Sequence, residues 1–364
     1  MLREIVMGKR KKILQTCKVD SNSSISEKVP YSENVLECFY EYEEASESIH
    51  NKFIQNLTLS PCITIDRLAM TLPHPNGELN GKELAKETEK FNKIAESLVS
   101  SYPHITRCYT NDPNFKYAIK VELSPGNILF ISWGPKQARN FFKLSLNFAK
   151  AMQCRKELRS ALRAFFGRDK LKLIVGSHKV NITLLEIAFD LFGVKLQQVC
   201  VSLDRARHHT VVKGSDEIET IYSGKHAGKY DSIKSYNKLK EVQKEANNYY
   251  QELKEHDLEG LNWTRVEIRL AKDISRFNLT DISKVDVNFD KFKVYVFSQE
   301  LGVPFLEYAI YLKGLNQALS MLPTQEAKRI RFLLNKHRVN LDEEDMRLLI
   351  KSKLKQVERF FKKL

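Results

Sequence analysis

What most constrains this chain is a succession of strand-like runs between residues 171 and 271, broken by a single helical pattern. LKLIV (171–175), ITLLEIAFDLFG (182–193), KLQQVCVSL (195–203), ETIYSG (219–224) and DSIKSYNK (231–238) follow one another as apolar or β-branched runs. A helical stretch is expected over 239–255, and NWTRVEIRLA (262–271) reads as strand again. Strands arranged outside strict βα alternation point to an α+β fold with a mainly antiparallel sheet.

Upstream of this region the signals alternate. PCITIDRLAMTLPHP (61–75) reads as a strand ending in a Pro-bounded turn, and FKYAIKVELSPGNILFISWG (115–134) as two strands around Ser-Pro-Gly. Residues 81–101 place Leu84, Phe91, Ile94 and Leu98 at helical spacing. Further helices are expected over 136–152 and 157–167, the second closed by Gly167. From about Phe305 the chain reads as helical to its end, with a break at Pro323. Residues 1–60, with GKRKK followed by an acidic ECFYEYEEASES, read as a loosely attached extension. The expected organisation is therefore that extension, a core over 61–310, and a helical basic C-terminal segment over 311–364.

Composition narrows the partners. The 364 residues are 42% hydrophobic and 29% charged, a globular balance long enough to bury a substantial core. No apolar run approaches the roughly 18 residues that span a bilayer, and no apolar stretch follows the basic start, so a cytoplasmic protein is expected. Six cysteines lie far apart with no CxxC pair, which suits free thiols in a reducing compartment. The net charge is +14, carried almost entirely beyond residue 60, and suits a polyanionic partner, either nucleic acid or an anionic membrane face, the alternative being a soluble basic protein.

Three constellations carry chemistry. In LLEIAFD, Glu186 and Asp190 share one face of a strand, and paired carboxylates on an apolar strand call for a cation or a basic partner. The alternative is a solvated face with Leu185, Ile187 and Phe189 buried. In ETIYSGKHAGKYDSIKSYNKLKE (219–241), a basic loop with Lys225, His226 and Lys229 precedes a strand that bears Lys234 and Tyr236, with Lys238 and Glu241 just beyond. A tyrosine among lysines can attack a phosphodiester once its proton, of pKa about 10, is removed; the alternative is an ordinary half-buried strand residue. The loop fails the Walker pattern, with three residues between its glycines and Tyr230 in place of Ser or Thr. In NWTRVEIRL, Arg265, Glu267 and Arg269 alternate on one face, either as a third carboxylate with phosphate-holding arginines or as a salt-bridge ladder. No His-x-His pair is present, so oxygen ligands and hence Mg²⁺ or Mn²⁺ are expected. The last forty residues carry twelve Lys/Arg against six Asp/Glu, Arg329 and Arg331 among them; such a basic helix can track a DNA backbone, lie on a membrane, or be a solvated helix face, which is the commoner case.

In order and spacing, LLEIAFD, TIYSGKHAGKYDSIKSYNKLKE and WTRVEIRL resemble the plasmid replication initiation factor family of rolling-circle initiators. TIDRLAMTLPHP, IKVELSPGN and LSMLPTQEAKRIRFLLNKHRVNL are similar to segments of the filamentous-phage replication initiators. The resemblance covers about residues 61–340. It implies a curved antiparallel sheet flanked by helices, with DNA across one face, and site-specific nicking of a double-stranded origin. It further implies that Tyr236 forms a 5′-phosphotyrosine, later resolved by strand transfer. Glu186, Asp190 and Glu267 would hold Mg²⁺ or Mn²⁺, with Lys238 beside the tyrosine. Lys225, Lys229, Lys234, Arg265, Arg329 and Arg331 would face DNA. Host helicase and polymerase would be partners on the nicked strand, and the active unit is left open between monomer and homodimer. The rival expectation is a non-catalytic, sequence-specific DNA-binding regulator.

Overall fold

The computed structural model describes residues 63–364 except 111, 125, 137–139, 177, 178, 207, 215–217, 226–229, 246–253, 255–261, 273, 286, 287, 297–308, 311, 312, 337, 340, 342 and 343. The extension expected over 1–60 lies outside them. In chain order the elements are β1 (Ile63–Leu72), α1 (Gly81–Ser101), β2 (Ile105–Cys108), β3 (Phe115–Ser124), β4 (Asn127–Pro135) and β5 (Phe142–Asn147). Three helices follow, α2 (Phe148–Gln153), α3 (Arg155–Phe166) and α4 (Arg168–Val175), then β6 (Asn181–Phe192). Next come β7 (Val199–Leu203), β8 (His209–Lys213), β9 (Ile218–Ser223), β10 (Ser232–Asn237), α5 (Lys238–Glu245) and β11 (Trp263–Leu270). The chain closes with β12 (Phe292–Val296), α6 (Leu315–Ser320), α7 (Thr324–Lys336), β13 (Arg338–Val339) and α8 (Glu344–Lys362).

The architecture is α+β. Ten strands form one sheet in the order β2-β3-β4-β5-β1-β6-β11-β10-β9-β8, and every pairing in it is antiparallel. Its two faces differ sharply. One carries Leu68, Met70, Leu129, Ile131, Leu144, Leu185, Ile187, Val266, Ile268 and Ile233, all buried in the main core. α1 contributes Phe91, Ala95 and Leu98 to that core, and α3 contributes Leu158, Leu162, Phe165 and Phe166. α8 closes it with Met346, Ile350, Leu354, Val357, Phe360 and Phe361, the last two ringed around Phe148. Helix starts and stops follow local chemistry. Asn80 and Glu83 form a reciprocal capping box on α1, and Gly167, at φ +81°, ends α3 where a Cβ would be strained.

A second sheet, β13-β12-β7, lies on the core face of β9 and β10, where the Leu203 N–H donates to Ser223 Oγ at 3.0 Å. Its inner face (Val199, Val201, Leu203, Phe292, Val294, Val296) joins the main core. Its outer face presents Cys200 and Tyr295 to a separate small core built with Leu315, Ala318, Leu319, Ile330 and Leu334 of α6 and α7. This half of the molecule therefore has three layers.

Two elements differ from the sequence reading. The helix expected over 136–152 is strand β5 followed by the short α2: Phe142, Leu144 and Leu146 alternate into the core between β4 and β1, and Asn147 then caps α2 through Lys150 N. The strand expected at 171–175 is helix α4, which restarts after the Gly167 break. β2, β8, β12 and β13 were not anticipated; β13 interrupts the helical C-terminus. Of the helix expected over 239–255, residues 238–245 are described as α5.

Candidate active site

On the sheet face opposite the core, strand register builds a grid. Asp190 of β6 pairs with Arg265 of β11, which pairs with Tyr236 of β10. One row along, Ala188, Glu267 and Lys234 are aligned, and one row further Glu186, Arg269 and Ser232. Period-two alternation places all nine side chains on the same face. The small Ala188 between Glu186 and Asp190 leaves space opposite Glu267.

Asp66 completes the group from β1, and it does so through a bulge. Ile65 pairs with Ile187, but Arg67, not Asp66, pairs with Glu186, so Asp66 is the extra residue. The bulge keeps Ile63, Ile65, Leu68, Met70 and Leu72 all on the core face despite their uneven spacing, and it turns Asp66 toward the grid. One ligand oxygen from each of Asp66, Glu186 and Glu267 lies within 4.8 Å of the others.

The charges are tightly interlocked. Arg265 donates to Asp190 through Nε (2.7 Å) and NH2 (2.6 Å), and Trp263 Nε1 donates to Asp190 Oδ1 at 2.8 Å. Arg269 NH1 donates to Glu186 Oε1 at 2.8 Å, Lys234 Nζ lies 2.6 Å from Glu267 Oε2, and Arg265 NH1 lies 3.7 Å from Asp66 Oδ1. Asn147 Nδ2 donates to Asp66 Oδ1 at 3.0 Å. The Tyr236 hydroxyl donates to Glu267 Oε1 at 2.6 Å, with the Lys234 and Lys238 ammoniums 4.9 and 5.9 Å from its ring centroid. Lys238 Nζ donates to Glu241 Oε2 at 2.5 Å.

Burial sets the electrostatics. Glu186, Asp190, Arg265 and Glu267 are buried, while the Asp66 and Glu241 side chains keep 20% and 41% of their surface in water and so hold the cluster open to solvent. Burial, and then the Glu267 carboxylate, raise the Asp66 pKa, and the same two causes push the Tyr236 phenol well above its ordinary 10. Burial works against the Lys234 ammonium, but Glu267 outweighs it and the pKa rises. Lys238 is pulled below its ordinary value by burial and by Arg265. Lys238 in turn overcomes burial at Glu241, whose pKa falls. Five carboxyls (Asp66, Glu186, Asp190, Glu267, Glu241) are interleaved with Lys234, Lys238, Arg265 and Arg269, and the exposed Arg67 stands opposite Glu186 on the same face.

The structure thus brings Tyr236, Lys234, Lys238, Arg265, Glu186, Asp190 and Glu267 together, all anticipated from the sequence. Within the group Asp190 is clasped by Arg265 and Trp263, and Asp66 joins Glu186 and Glu267 in its place as the third convergent carboxyl. A signal for Asp66 stands in the sequence: the apolar phase of ITIDRLAMTL slips between Ile65 and Leu68, with the acid at the slip. Lys225 is exposed at the turn after β9, its ammonium 5.2 Å from the Tyr230 ring centroid; Lys229 and His226 lie outside the described residues. Arg329 and Arg331 are exposed on α7, in the outer layer away from this face. Cys108, Cys154 and Cys200, the described cysteines, are free thiols, and no helix among the described residues is long and apolar enough to cross a membrane.

The sequence matches no protein-family model and no curated protein.

Proposed function

We propose that this chain is a DNA-nicking and strand-transferring replication initiator of the rolling-circle type, with Tyr236 as its nucleophile. The observation that carries the reading is the 2.6 Å hydrogen bond from the Tyr236 hydroxyl to Glu267, a carboxylate that also belongs to the convergent acidic group. A buried phenol with a raised pKa is a poor nucleophile until a base takes its proton, and Glu267 stands at hydrogen-bond distance to do so.

The donor set fits a hard divalent cation. Asp66, Glu186 and Glu267 offer carboxylate oxygens only, all within 4.8 Å of one another, which is near the roughly 4.2 Å that separates opposite ligands of a Mg²⁺ shell. Mg²⁺ or Mn²⁺ held there would polarise the phosphate and stabilise the leaving oxygen.

The protein's own groups then act as follows. The Tyr236 oxygen attacks phosphorus in line, its proton passes to Glu267, and a Tyr–O–P bond replaces the P–O3′ bond. Lys234 and Arg265 offset charge on the five-coordinate phosphorus. Lys238, with its lowered pKa, supplies a proton to the departing 3′ oxygen. The free 3′-OH primes a polymerase, and the 5′-phosphotyrosine conserves the bond energy for later transfer.

A second reading has its own support. Asp190, Glu186 and Glu267 each already face a cation, as in a purely structural ladder, and that suits a DNA-binding regulator that never cuts. The two readings separate on supercoiled plasmid carrying this chain's gene and flanking DNA, incubated with Mg²⁺ or Mn²⁺. Initiation gives open circles and an SDS-resistant protein–DNA adduct, both lost with Tyr236→Phe and with chelator while DNA binding survives. Specific binding without a nick under either metal favours the regulator.

A further inference from the structure

A second surface of distinct character lies on the other side of the molecule. α6 and α7 are joined by only Met321, Leu322 and Pro323 and pack through their own small core on the outer face of the β13-β12-β7 sheet. α7 buries Ala327, Ile330 and Leu334 there, a stripe at helical spacing. Its remaining surface is exposed and one-signed: Lys328, Arg329, Arg331, Asn335 and Lys336, with Phe332 among them. Among the described residues no carboxylate pairs with any of these four cations, and Lys336 instead rests its ammonium 4.9 Å from the Phe332 ring centroid. An ordinary solvated helix mixes signs on its exposed face. Here the only acid on α7 is Glu326, at its first turn and half-buried. Phe332 leaves 63% of its surface in water, and no apolar side chain among the described residues covers it.

We propose that α7 is a recognition helix that enters the major groove of duplex DNA, with α6 as the helix that steadies it in a helix-turn-helix arrangement. At 13 residues it is about 20 Å long, and the groove, about 12 Å wide, admits such a helix. Lys328, Arg329, Arg331 and Lys336 meet phosphates and guanine edges, Asn335 matches the donor–acceptor pair of adenine, and Phe332 contacts thymine methyls. The occupant follows from charge complementarity together with this interleaving of cations, an amide and one aromatic ring. The assignment goes beyond the nicking reading and does not rest on it, because a regulator would use the same helix. It also separates two tasks in space. Tyr236 lies on one face of the ten-stranded sheet, while α7 lies on the far side of the second sheet packed against the opposite face. Duplex recognition and strand cleavage are then separable by mutation.

The test uses the full chain and fluorescent duplexes tiled across its own gene and flanking DNA, with a scrambled duplex and a single-stranded oligonucleotide as comparisons. Wild type should prefer one tiled segment. Lys328→Ala/Arg329→Ala/Arg331→Ala should bind that segment about 10- to 100-fold more weakly, with a log–log salt slope shallower by about 2–3. Phe332→Ala should narrow the preference over scrambled duplex while leaving the salt slope unchanged. Single-strand binding should hold in both variants, and unchanged thermal midpoints would show that these surface changes leave the fold intact. Undiminished duplex affinity in the triple variant would overturn the proposal, as would an equal loss on single and double strands. Tight binding of the triple-variant surface in wild type to vesicles of anionic lipid, with no duplex preference, would overturn it in favour of a membrane partner.

Discussion

Arg265 shows how a residue decides whether a buried acid is a burden or an asset. Asp190 keeps only 2% of its side-chain surface, and a lone carboxylate there would be costly; the forked guanidinium at 2.6–2.7 Å makes it tolerable. Arg265→Met should therefore destabilise the fold by about 3–5 kcal/mol, and Asp190→Leu/Arg265→Met should recover most of that loss. Urea midpoints measure both; a double variant no more stable than the single one would rule out the ion pair as the cause. Much of this cluster was legible at the residue level, because charges inside strand-patterned runs are rare enough to notice. Tyr236, Lys234, Glu186, Asp190, Arg265 and Glu267 were all visible that way. Which carboxyl converges with which was not, since Asp66 reaches the group through a bulge in β1 while register sets Arg265 beside Asp190.

At the level of elements, the two misjudged segments share a cause. FFKLSLNF satisfies a helical and a period-two pattern about equally, and its place between β4 and β1 resolves it as strand. LKLIV is too short to distinguish the periods by itself, and the helix it forms depends on Gly167 ending α3 just before it. The join of β1 to α1 carries a testable device. His74 is buried against Phe91, Phe141 and Phe142, its Nδ1 accepts from Asn76 N at 3.2 Å, and its Nε2 lies 3.1 Å from Glu87. Burial lowers its pKa below 6.5 against the opposing pull of Glu87. The unfolded chain thus binds a proton that the folded chain resists, so stability is fully present above pH 6.5 and declines as pH falls through the lowered value. Glu87, whose own pKa is lowered by Lys90 and His74 despite burial, acts at more acid pH. Between pH 7 and 5 the thermal midpoint of wild type should fall, and His74→Gln should flatten that fall. An equally steep decline in the variant would assign it to other groups.

Over the whole molecule, the C-terminal segment is not an appendage. α8 inserts six large apolar side chains into the main core, and the Lys363 carbonyl accepts from Arg155 and Arg159 of α3. A chain ending at residue 343 should lose cooperative folding, read as a lost thermal transition and rapid proteolysis; a retained transition would mean that α8 is dispensable. The basic character of α8 is thus that of a helix whose apolar face is already spent on the core, whereas the one-signed face of α7 is turned outward on a core of its own. The sequence by itself determined the α+β class, the mainly antiparallel character of the sheet, and most of the residues of the grid. Those follow from period-two patterning, turn chemistry and the cost of burying charge, which act over a few residues. Only the tertiary structure decided that Asp66 joins Glu186 and Glu267, that Arg265 claims Asp190, and that α7 lies a full layer away from Tyr236. Those outcomes depend on a bulge in β1, on register across β1, β6 and β11, and on which face of the second sheet the helices cover. Each is set by packing between segments far apart in the chain, where no local pattern reaches.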